Sequence, residues 1–213
     1  MPTVLCFGDS NTFGTKPMSN RDSTERWDYS LRWPGVLQQH LGGAWRVIEE
    51  GLPGRTISLD DPVEGDDRNA LRYLPACLQS HRPLDVVVFM LGTNDCKARF
   101  GRDARGIAES ANGLIDCVLQ HTLPVQVPPW ILLVCPPVIN EVGCLADVFY
   151  GANAKSSELR IHMQKVAASR GVSFLYAGLV AKMSAIEGIH LDAKGHEAIG
   201  REVAEKIRSF PVG

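Results

Sequence analysis

The chain has 213 residues, of which 45% are hydrophobic and 22% are charged, and its formal net charge is -2 at pH 7. This composition is typical of a globular protein with a sizeable core, and it excludes an intrinsically disordered chain. The small net charge and the lack of any run rich in lysine and arginine argue against a nucleic-acid partner. The longest apolar runs, such as residues 86–91, are too short to cross a membrane, so no membrane partner is expected either.

The amino terminus and the cysteines bear on where the protein works. A strand is predicted almost directly after Met1, and no basic segment, apolar segment and cleavage site precede it, which favours a cytoplasmic protein. The six cysteines form no Cys-x-x-Cys pair, and Cys6 and Cys135 fall inside apolar runs where cysteine packs as a small hydrophobic residue. We therefore expect reduced thiols, no zinc or other metal site, and no cofactor.

Apolar runs of strand length alternate along the chain with helical patterns. The runs are nearly continuous in Val, Ile, Leu and Phe, as in parallel strands that are covered on both faces. The predicted strands are residues 3–8, 45–51, 84–92, 130–135 and 172–177. Helical spacing of apolar residues follows in three places: Leu71, Leu74 and Leu78; Ile107, Ala111, Leu114, Ile115 and Val118; and Ile199, Val203 and Ile207.

This alternation predicts an α/β fold, a three-layer α/β/α sandwich around a roughly five-stranded parallel sheet. No repeat, low-complexity segment or linker interrupts the pattern, so we expect residues 1–213 to form a single domain. Asp192 is placed to cap the last helix. Residues 15–33 and 136–154 are long connections with scattered aromatic residues. We expect both at the carboxyl ends of strands, the edge where open α/β sheets bind ligands.

Four short motifs fall at or just beyond the ends of predicted strands. They are GDSNT at 8–12, EGLPGRT at 50–56, GTND at 92–95 and EGIHLD at 187–192. Together they supply a hydroxyl, glycine amides, a side-chain amide, an imidazole and a carboxylate. Acyl transfer through a serine needs this set, because the nucleophile requires a base, a group that orients the base, and donors for the oxyanion.

Each motif contributes a candidate for one of these roles. Ser10 is the candidate nucleophile, and His190 can accept its proton as general base. Glu187 lies three residues before His190 and can hold the second ring nitrogen, while Asp192 is a rival for this role that helix capping also explains. The backbone N–H of Gly54 is a candidate oxyanion donor.

The GTND motif supplies a further candidate donor. The side-chain amide of Asn94 is a further candidate donor to the oxyanion. Asp9 and Asp95, in the same two turns as Ser10 and Asn94, are expected to brace those turns through hydrogen bonds to the backbone.

The ordered blocks GDSNT, GLPGRT, GTND and EGIH resemble the SGNH (GDSL) hydrolase superfamily, which is named for Ser, Gly, Asn and His in four blocks. The runs LCFGDS, VIEEGL, MLGTND and GIH are similar to its arylesterase/acyltransferase (perhydrolase) branch over nearly the whole chain. The resemblance implies the flavodoxin-like fold of that superfamily. It also implies Ser10 as nucleophile, His190 as base, and an oxyanion hole of the Ser10 N–H, the Gly54 N–H and the Asn94 side chain.

Two residues depart from the family pattern. Glu187 stands where the family usually has Asp, and its extra methylene lengthens the reach of the carboxylate. Asn11 stands where the motif commonly has Leu, which predicts a more polar floor for the acyl pocket. The resemblance also implies a homo-oligomer and an apolar wall around the substrate, formed by Leu145, Val148, Phe149 and Ile189.

The leading hypothesis is a serine esterase that hydrolyses small, short-acyl esters through an acyl-enzyme, with further acyltransferase or perhydrolase activity. The first alternative is deacetylation of a carbohydrate or another polyol, which Asn11 and the polar 15–33 loop leave open. A non-catalytic ligand-binding protein with the same fold is the second alternative. The third is a metal-dependent phosphoesterase, although its candidate ligands Asp9, Asn94, Asp95 and His190 are fewer than such sites generally have.

Overall fold

A five-stranded parallel sheet forms the centre of the protein. The computed structural model describes residues 1–123 and 127–211. The strands are β1 (Thr3–Gly8), β2 (Arg46–Gly51), β3 (Val86–Met90), β4 (Trp130–Cys135) and β5 (Ser173–Tyr176). They are arranged in the order β2-β1-β3-β4-β5, and every neighbouring pair is parallel. All five strands predicted from the sequence are therefore present.

Helices cover both faces of the sheet. They are α1 (Ser10–Phe13), α2 (Trp33–Leu41), α3 (Ala70–His81), α4 (Ala104–Gln120), α5 (Ala152–Arg170) and α6 (Ala193–Arg208). Val4 and Cys6 of β1 pack in the same core as α2 and α6, whereas Leu5 and Phe7 pack with α3, α4 and α5. Successive residues of a strand point to opposite faces, so one continuous apolar strand supplies both cores. The three-layer α/β/α sandwich is thus confirmed.

The helical spacing correctly indicated α3, α4 and α6, and Asp192 caps α6 by accepting the N–H of Gly195 at 2.7 Å. Besides the short α1, two helices were not predicted from apolar spacing. Helix α2 begins at the end of the 15–33 connection, where Pro34 occupies the first turn. Helix α5 begins inside the 136–154 connection, and many charged and polar residues between its buried positions obscure its apolar face.

The order of the strands determines where a ligand can bind. The chain passes from β1 to β2 on one side and then returns to place β3 on the other side of β1. A crevice forms outside the carboxyl ends of the strands at such a reversal. Ser10 follows β1 and Asn94 follows β3, so both flank this point. In the described part of the chain, no helix combines the length and the apolar character needed to cross a membrane.

Candidate active site

Ser10, His190 and Glu187 form a continuous chain of hydrogen bonds at this edge of the sheet. The Nε2 atom of His190 lies 3.0 Å from the Oγ atom of Ser10, and its Nδ1 atom lies 2.8 Å from Oε2 of Glu187. Glu187 is fully buried, whereas Ser10 and His190 expose 5% and 4% of their surface. In this arrangement the imidazole can take the serine proton while the carboxylate orients the ring and stabilises its charged form.

The turn that carries Ser10 is built by its neighbours. Asp9 caps α1 by accepting the N–H of Asn11 at 2.9 Å, as expected for a bracing residue, and burial raises the pKa of its carboxyl to about 6. Gly8 allows the turn to close tightly, because a Cβ atom there would lie 2.0 Å from Oγ1 of Thr12. The indole of Trp33 then donates to the same Thr12 oxygen at 3.2 Å. The candidate nucleophile therefore sits on a turn that is packed from both sides.

Asn11 does not form part of the acyl pocket, contrary to the prediction from the sequence. Its side chain is 1% exposed and does not line the cavity described below. It donates to the carbonyl of Ile189 at 3.0 Å and accepts the N–H of Leu191 at 3.0 Å. Because both ends of the amide are bound to backbone, it cannot form a polar pocket floor. Asn11 instead holds the loop of His190 against the turn of Ser10.

The carboxylate beside His190 is that of Glu187 rather than that of Asp192. The second oxygen of Glu187 also accepts the N–H groups of His190, at 2.9 Å, and of Ile189, at 3.3 Å. Gly188 makes this short loop possible, since its φ is 76° and a Cβ atom would lie 1.8 Å from the Asn140 carbonyl oxygen. Asp192 is occupied as the cap of α6.

The candidate oxyanion donors meet beside Ser10. Gly54 and Asn94 both line the same cavity as Ser10. One N–H of the Asn94 amide donates to the carbonyl of Arg55 at 3.1 Å, which leaves its other N–H for a ligand. Gly54 has a φ of 79°, and a Cβ atom there would lie 2.0 Å from Oε2 of Glu64.

Asp95 braces this region. Both of its oxygens accept the N–H of Ile57, at 3.0 and 3.1 Å, which ties the turn after β3 to the loop after β2. Burial raises the pKa of the Asp95 carboxyl to about 7. This agrees with the bracing role expected for it.

A cavity of about 550 Å³ opens above these groups. Ser10 and His190 lie in its wall, together with the expected apolar residues Leu145, Val148, Phe149 and Ile189. The 15–33 and 136–154 connections meet here, because Nε of Arg21 donates to the carbonyl of Cys144 at 2.8 Å and its Nη2 pairs with Asp147. The structure thus brings together every predicted site residue except Asn11.

A second part of the lining is charged and was not predicted. Lys97, Arg99 and Glu64 line the cavity, and buried Asp61 links them. Arg99 lies 2.5 Å from Asp61 and 2.7 Å from Glu64, and Lys97 pairs with the same two carboxylates. Burial tends to raise the pKa of Asp61, but hydrogen bonds from Arg99 and the backbone lower it to about 2.

The sequence carried a partial signal for these residues. Lys97 and Arg99 lie two and four residues after the end of the GTND block, and the cavity residue Phe13 comes directly after GDSNT. Nothing in the sequence indicated that Glu64, from the loop after β2, would reach the same place.

Another cluster combines three types of metal ligand. Glu50, Cys77 and His81 offer ligand atoms within 4.8 Å of one another. These groups already have other partners, since His81 lies 2.8 Å from one Glu50 oxygen and the Tyr73 hydroxyl donates to the other at 3.3 Å. Burial and the nearby Glu50 charge raise the pKa of the Cys77 thiol to about 12, which keeps it protonated. We interpret the cluster as a hydrogen-bonded link between β2 and α3.

All six cysteines of the chain are free thiols.

Comparisons with known proteins agree with this geometry. The model of the GDSL-like Lipase/Acylhydrolase family matches residues 6–198. The structure is similar to that of an aryl esterase from M. smegmatis, with a TM-score of 0.94 and 38% identity over 98% of this chain and 99% of that one. It is also similar to Est24, a carbohydrate acetylesterase from Sinorhizobium meliloti, with a TM-score of 0.93, 38% identity and the same coverage of both chains.

A more distant similarity concerns the fold alone. A member of the lipolytic protein G-D-S-L family from Veillonella parvula has a TM-score of 0.69 and 14% identity, covering 99% of this chain and 100% of that one. Comparison with curated proteins found no match. The family match spans most of the chain, and the two esterase structures share more than a third of its residues. The chain therefore belongs to the GDSL-like lipase/acylhydrolase family, as the four sequence blocks indicated, and it is a carboxylic ester hydrolase.

Proposed function

We propose that this protein is a serine esterase that cleaves small, short-acyl esters through an acyl-enzyme on Ser10. The Ser10 oxygen attacks the ester carbonyl carbon while His190 Nε2 takes the hydroxyl proton. The N–H groups of Ser10 and Gly54 and the Asn94 amide then stabilise the negative oxygen of the tetrahedral intermediate. The carbon–oxygen bond to the alcohol breaks, and the alcohol leaves with the proton from His190. Water repeats the sequence on the acyl-enzyme and releases the acid.

One observation carries this proposal. The hydroxyl of Ser10, both nitrogens of His190 and the carboxylate of Glu187 are joined by hydrogen bonds of 3.0 and 2.8 Å, and Ser10 and His190 lie in the wall of a cavity. Such a chain activates a serine most strongly when a third group orients the base. Here the third group is a fully buried carboxylate that also accepts two backbone N–H groups. Its geometry is therefore preorganised for proton transfer.

The size and lining of the cavity support small ester substrates. A volume of about 550 Å³ lies in the middle of the range for small-molecule sites. The wall of Leu145, Val148, Phe149 and Ile189 is suited to a short acyl chain or to an apolar alcohol. Phe149 and Ile189 are 2% and 3% exposed, so packing holds them in place and limits how far the pocket can widen.

Replacement of the nucleophile tests the proposal. We expect Ser10→Ala to abolish hydrolysis of p-nitrophenyl acetate and labelling by a fluorophosphonate probe, while the purified protein keeps its circular dichroism spectrum. Ser169→Ala is the matched control, because the exposed Ser169 hydroxyl donates to the Val166 carbonyl within its own helix α5. Undiminished hydrolysis by Ser10→Ala would overturn the mechanism. Absence of labelling in the folded wild-type protein would instead favour a non-catalytic binding protein.

A second candidate, deacetylation of a carbohydrate or polyol, is favoured by the charged part of the cavity. Lys97, Arg99 and Glu64 offer donors and acceptors for hydroxyl groups, and one structural relative is a carbohydrate acetylesterase. An acetylated sugar and an aryl acetate distinguish the two functions when their kcat/KM values are compared in the wild type and in Glu64→Gln. A loss confined to the sugar ester supports the deacetylase, and an equal response of both substrates contradicts it.

We further propose that the protein forms homo-oligomers, transfers acyl groups to alcohols or peroxide, and works in the cytoplasm. Apolar side chains exposed on and near the cavity loops support self-association, namely Tyr29, Leu31, Val142, Tyr150 and Ile186. Multi-angle light scattering tests the assembly, and a monomer at micromolar concentration contradicts it.

Product analysis in the presence of an alcohol tests acyl transfer to that alcohol. Fractionation of producing cells tests the cytoplasmic location of the protein.

A further inference from the structure

Arg55 is an almost fully buried cation next to the proposed oxyanion hole. Only 3% of its surface is exposed, and its Nη1 atom donates to the carbonyl of Gly8 at 2.8 Å and to the carbonyl of Glu50. These two carbonyls belong to residues at the carboxyl ends of β1 and β2. The guanidinium carbon also lies 4.1 Å from the centre of the Phe7 ring and 5.6 Å from that of Tyr73. Backbone dipoles and aromatic faces therefore hold this charge.

Holding a guanidinium in this place is costly. Burial lowers the pKa of Arg55, and its Nε atom is buried without a hydrogen-bond partner among the residues that the structure describes. A buried donor without a partner destabilises the folded state. An apolar side chain could fill the same space between Phe7 and Tyr73 without that cost. The cost indicates that the charge and its hydrogen bonds serve more than packing.

The backbone of Arg55 is tied to the same site. Its carbonyl accepts the Asn94 amide at 3.1 Å, and its N–H donates to the carbonyl of Leu52 at 3.2 Å. The Gly54 N–H lies one residue before it. Gly8, whose carbonyl the side chain holds, lies two residues before Ser10. All three groups proposed to stabilise the oxyanion are thus linked to this one residue.

We propose that Arg55 is the positioning residue of the oxyanion hole, an inference that rests on the esterase function proposed above. Its side chain fixes the end of β1 relative to the loop of Gly54, and its carbonyl fixes the direction of the Asn94 amide. Displacement of such donors by about 1 Å costs catalysis far more than binding, because they act on charge that exists only in the transition state. The buried positive charge adds a favourable potential for the same oxygen.

Substitution of Arg55 by methionine and by lysine tests this role. Methionine keeps much of the aliphatic bulk but removes the charge and the donors, whereas lysine keeps the charge. For Arg55→Met we expect kcat with p-nitrophenyl acetate to fall by about 10- to 100-fold with KM within about twofold of wild type. Phenylboronic acid forms a tetrahedral adduct with an activated serine, so its inhibition constant should rise by a similar factor. Arg55→Lys should recover part of both losses.

Arg170→Met is the matched control. Arg170 is a partly buried arginine at the end of α5, where it bonds to Asn112 and pairs with Asp116. It can lower the melting temperature but should leave kcat and boronate inhibition unchanged.

The outcomes separate this inference from the function on which it rests. An inactive and unlabelled wild-type protein contradicts the esterase function itself. An active wild type with an Arg55→Met variant of normal kcat and normal boronate affinity, measured below the melting temperature of both, overturns the positioning role. If Arg55→Met does not fold, Arg55→Lys decides alone: normal turnover and inhibition overturn the role, and a parallel loss of both supports it.

Discussion

The side-chain oxygen of Asn11 accepts a hydrogen bond from the backbone N–H of Leu191 at 3.0 Å, across 180 positions of the sequence. The same amide donates to the carbonyl of Ile189, so it binds the residues on both sides of His190. The residue directly after the proposed nucleophile therefore holds the loop of the proposed base. The contact between Ser10 and His190 thus depends on a neighbouring link as well as on their own hydrogen bond.

Removal of this link should weaken both the fold and the reaction. Asn11→Ala leaves a buried N–H and a buried carbonyl without their partner, which costs about 1–3 kcal/mol of unfolding free energy. The freed His190 loop should also lower kcat by about tenfold, since proton transfer requires hydrogen-bond geometry. Urea unfolding and p-nitrophenyl acetate kinetics measure the two effects. Gln79→Ala removes an exposed amide on α3 and should change neither, whereas wild-type stability of Asn11→Ala would contradict the assigned link.

Substitution of Glu187 should impair catalysis, whereas substitution of Asp192 should lower stability. Glu187→Ala removes the group that holds Nδ1 of His190 and should lower kcat by about 10³- to 10⁴-fold, as the loss of a triad acid does. Asp192→Ala removes the cap of α6 and should cost about 0.5–2 kcal/mol of stability while turnover stays near wild type. Steady-state kinetics and thermal unfolding of both variants provide the measurement. The reverse pattern would make Asp192 the triad acid.

Arg21 should control which esters reach Ser10. It joins the two connections over the cavity through the Cys144 carbonyl and Asp147, and the two side chains of this ion pair are 53% and 71% exposed. An exposed pair contributes at most about 1 kcal/mol to stability. Arg21→Ala should therefore leave the melting temperature nearly unchanged but widen the entrance, so that the kcat/KM ratio of hexanoate to acetate esters rises several-fold.

The control for this effect removes a comparable ion pair elsewhere. Arg105 and Glu109 pair on the exposed face of α4, and Arg105→Ala should leave the ester preference unchanged. An unaltered hexanoate-to-acetate ratio in Arg21→Ala would show that the link between the two connections does not restrict entry.

His196 should make the protein sensitive to acid. It is fully buried, its Nδ1 accepts the N–H of Trp33 at 3.3 Å, and burial and the nearby His190 lower its pKa to about 4. Between pH 6.5 and 4 the unfolded chain binds this proton and the folded chain does not, so stability rises with pH over that range. The loss on going from pH 7 to pH 4 amounts to about 3 kcal/mol from this group.

Replacement of His196 checks this dependence. Urea unfolding of wild type and His196→Gln at several values between pH 4 and 7 should give a flatter pH dependence for the variant. His40→Gln, at an exposed position on α2, should retain the wild-type slope. Parallel curves for wild type and His196→Gln would mean that the buried imidazole does not control acid stability.

Much of the fold follows from the local spacing of apolar residues in the sequence. Continuous apolar runs predicted all five strands, because a parallel strand is buried on both faces. Apolar residues at a spacing of three to four predicted α3, α4 and α6, because each of these helices buries one face. Helix α5 was not predicted, because many charged residues lie between its buried residues and obscure the apolar spacing. The single domain over residues 1–213 stays a prediction.

In the candidate site, too, the sequence predicted some features and the tertiary structure decided the others. The sequence by itself predicted Ser10, His190, Gly54 and Asn94 as the chemical set, because a serine esterase needs a nucleophile, a base and donors to the oxyanion. It left Glu187 and Asp192 as alternatives for the carboxylate, and only the structure places Glu187 beside His190. It could not determine that Asn11 turns away from the pocket, that Arg55 folds back onto β1, or that Lys97, Arg99 and Glu64 share one wall. Those positions arise where loops from separate strands converge, and only the packed tertiary structure decides which side chains meet there.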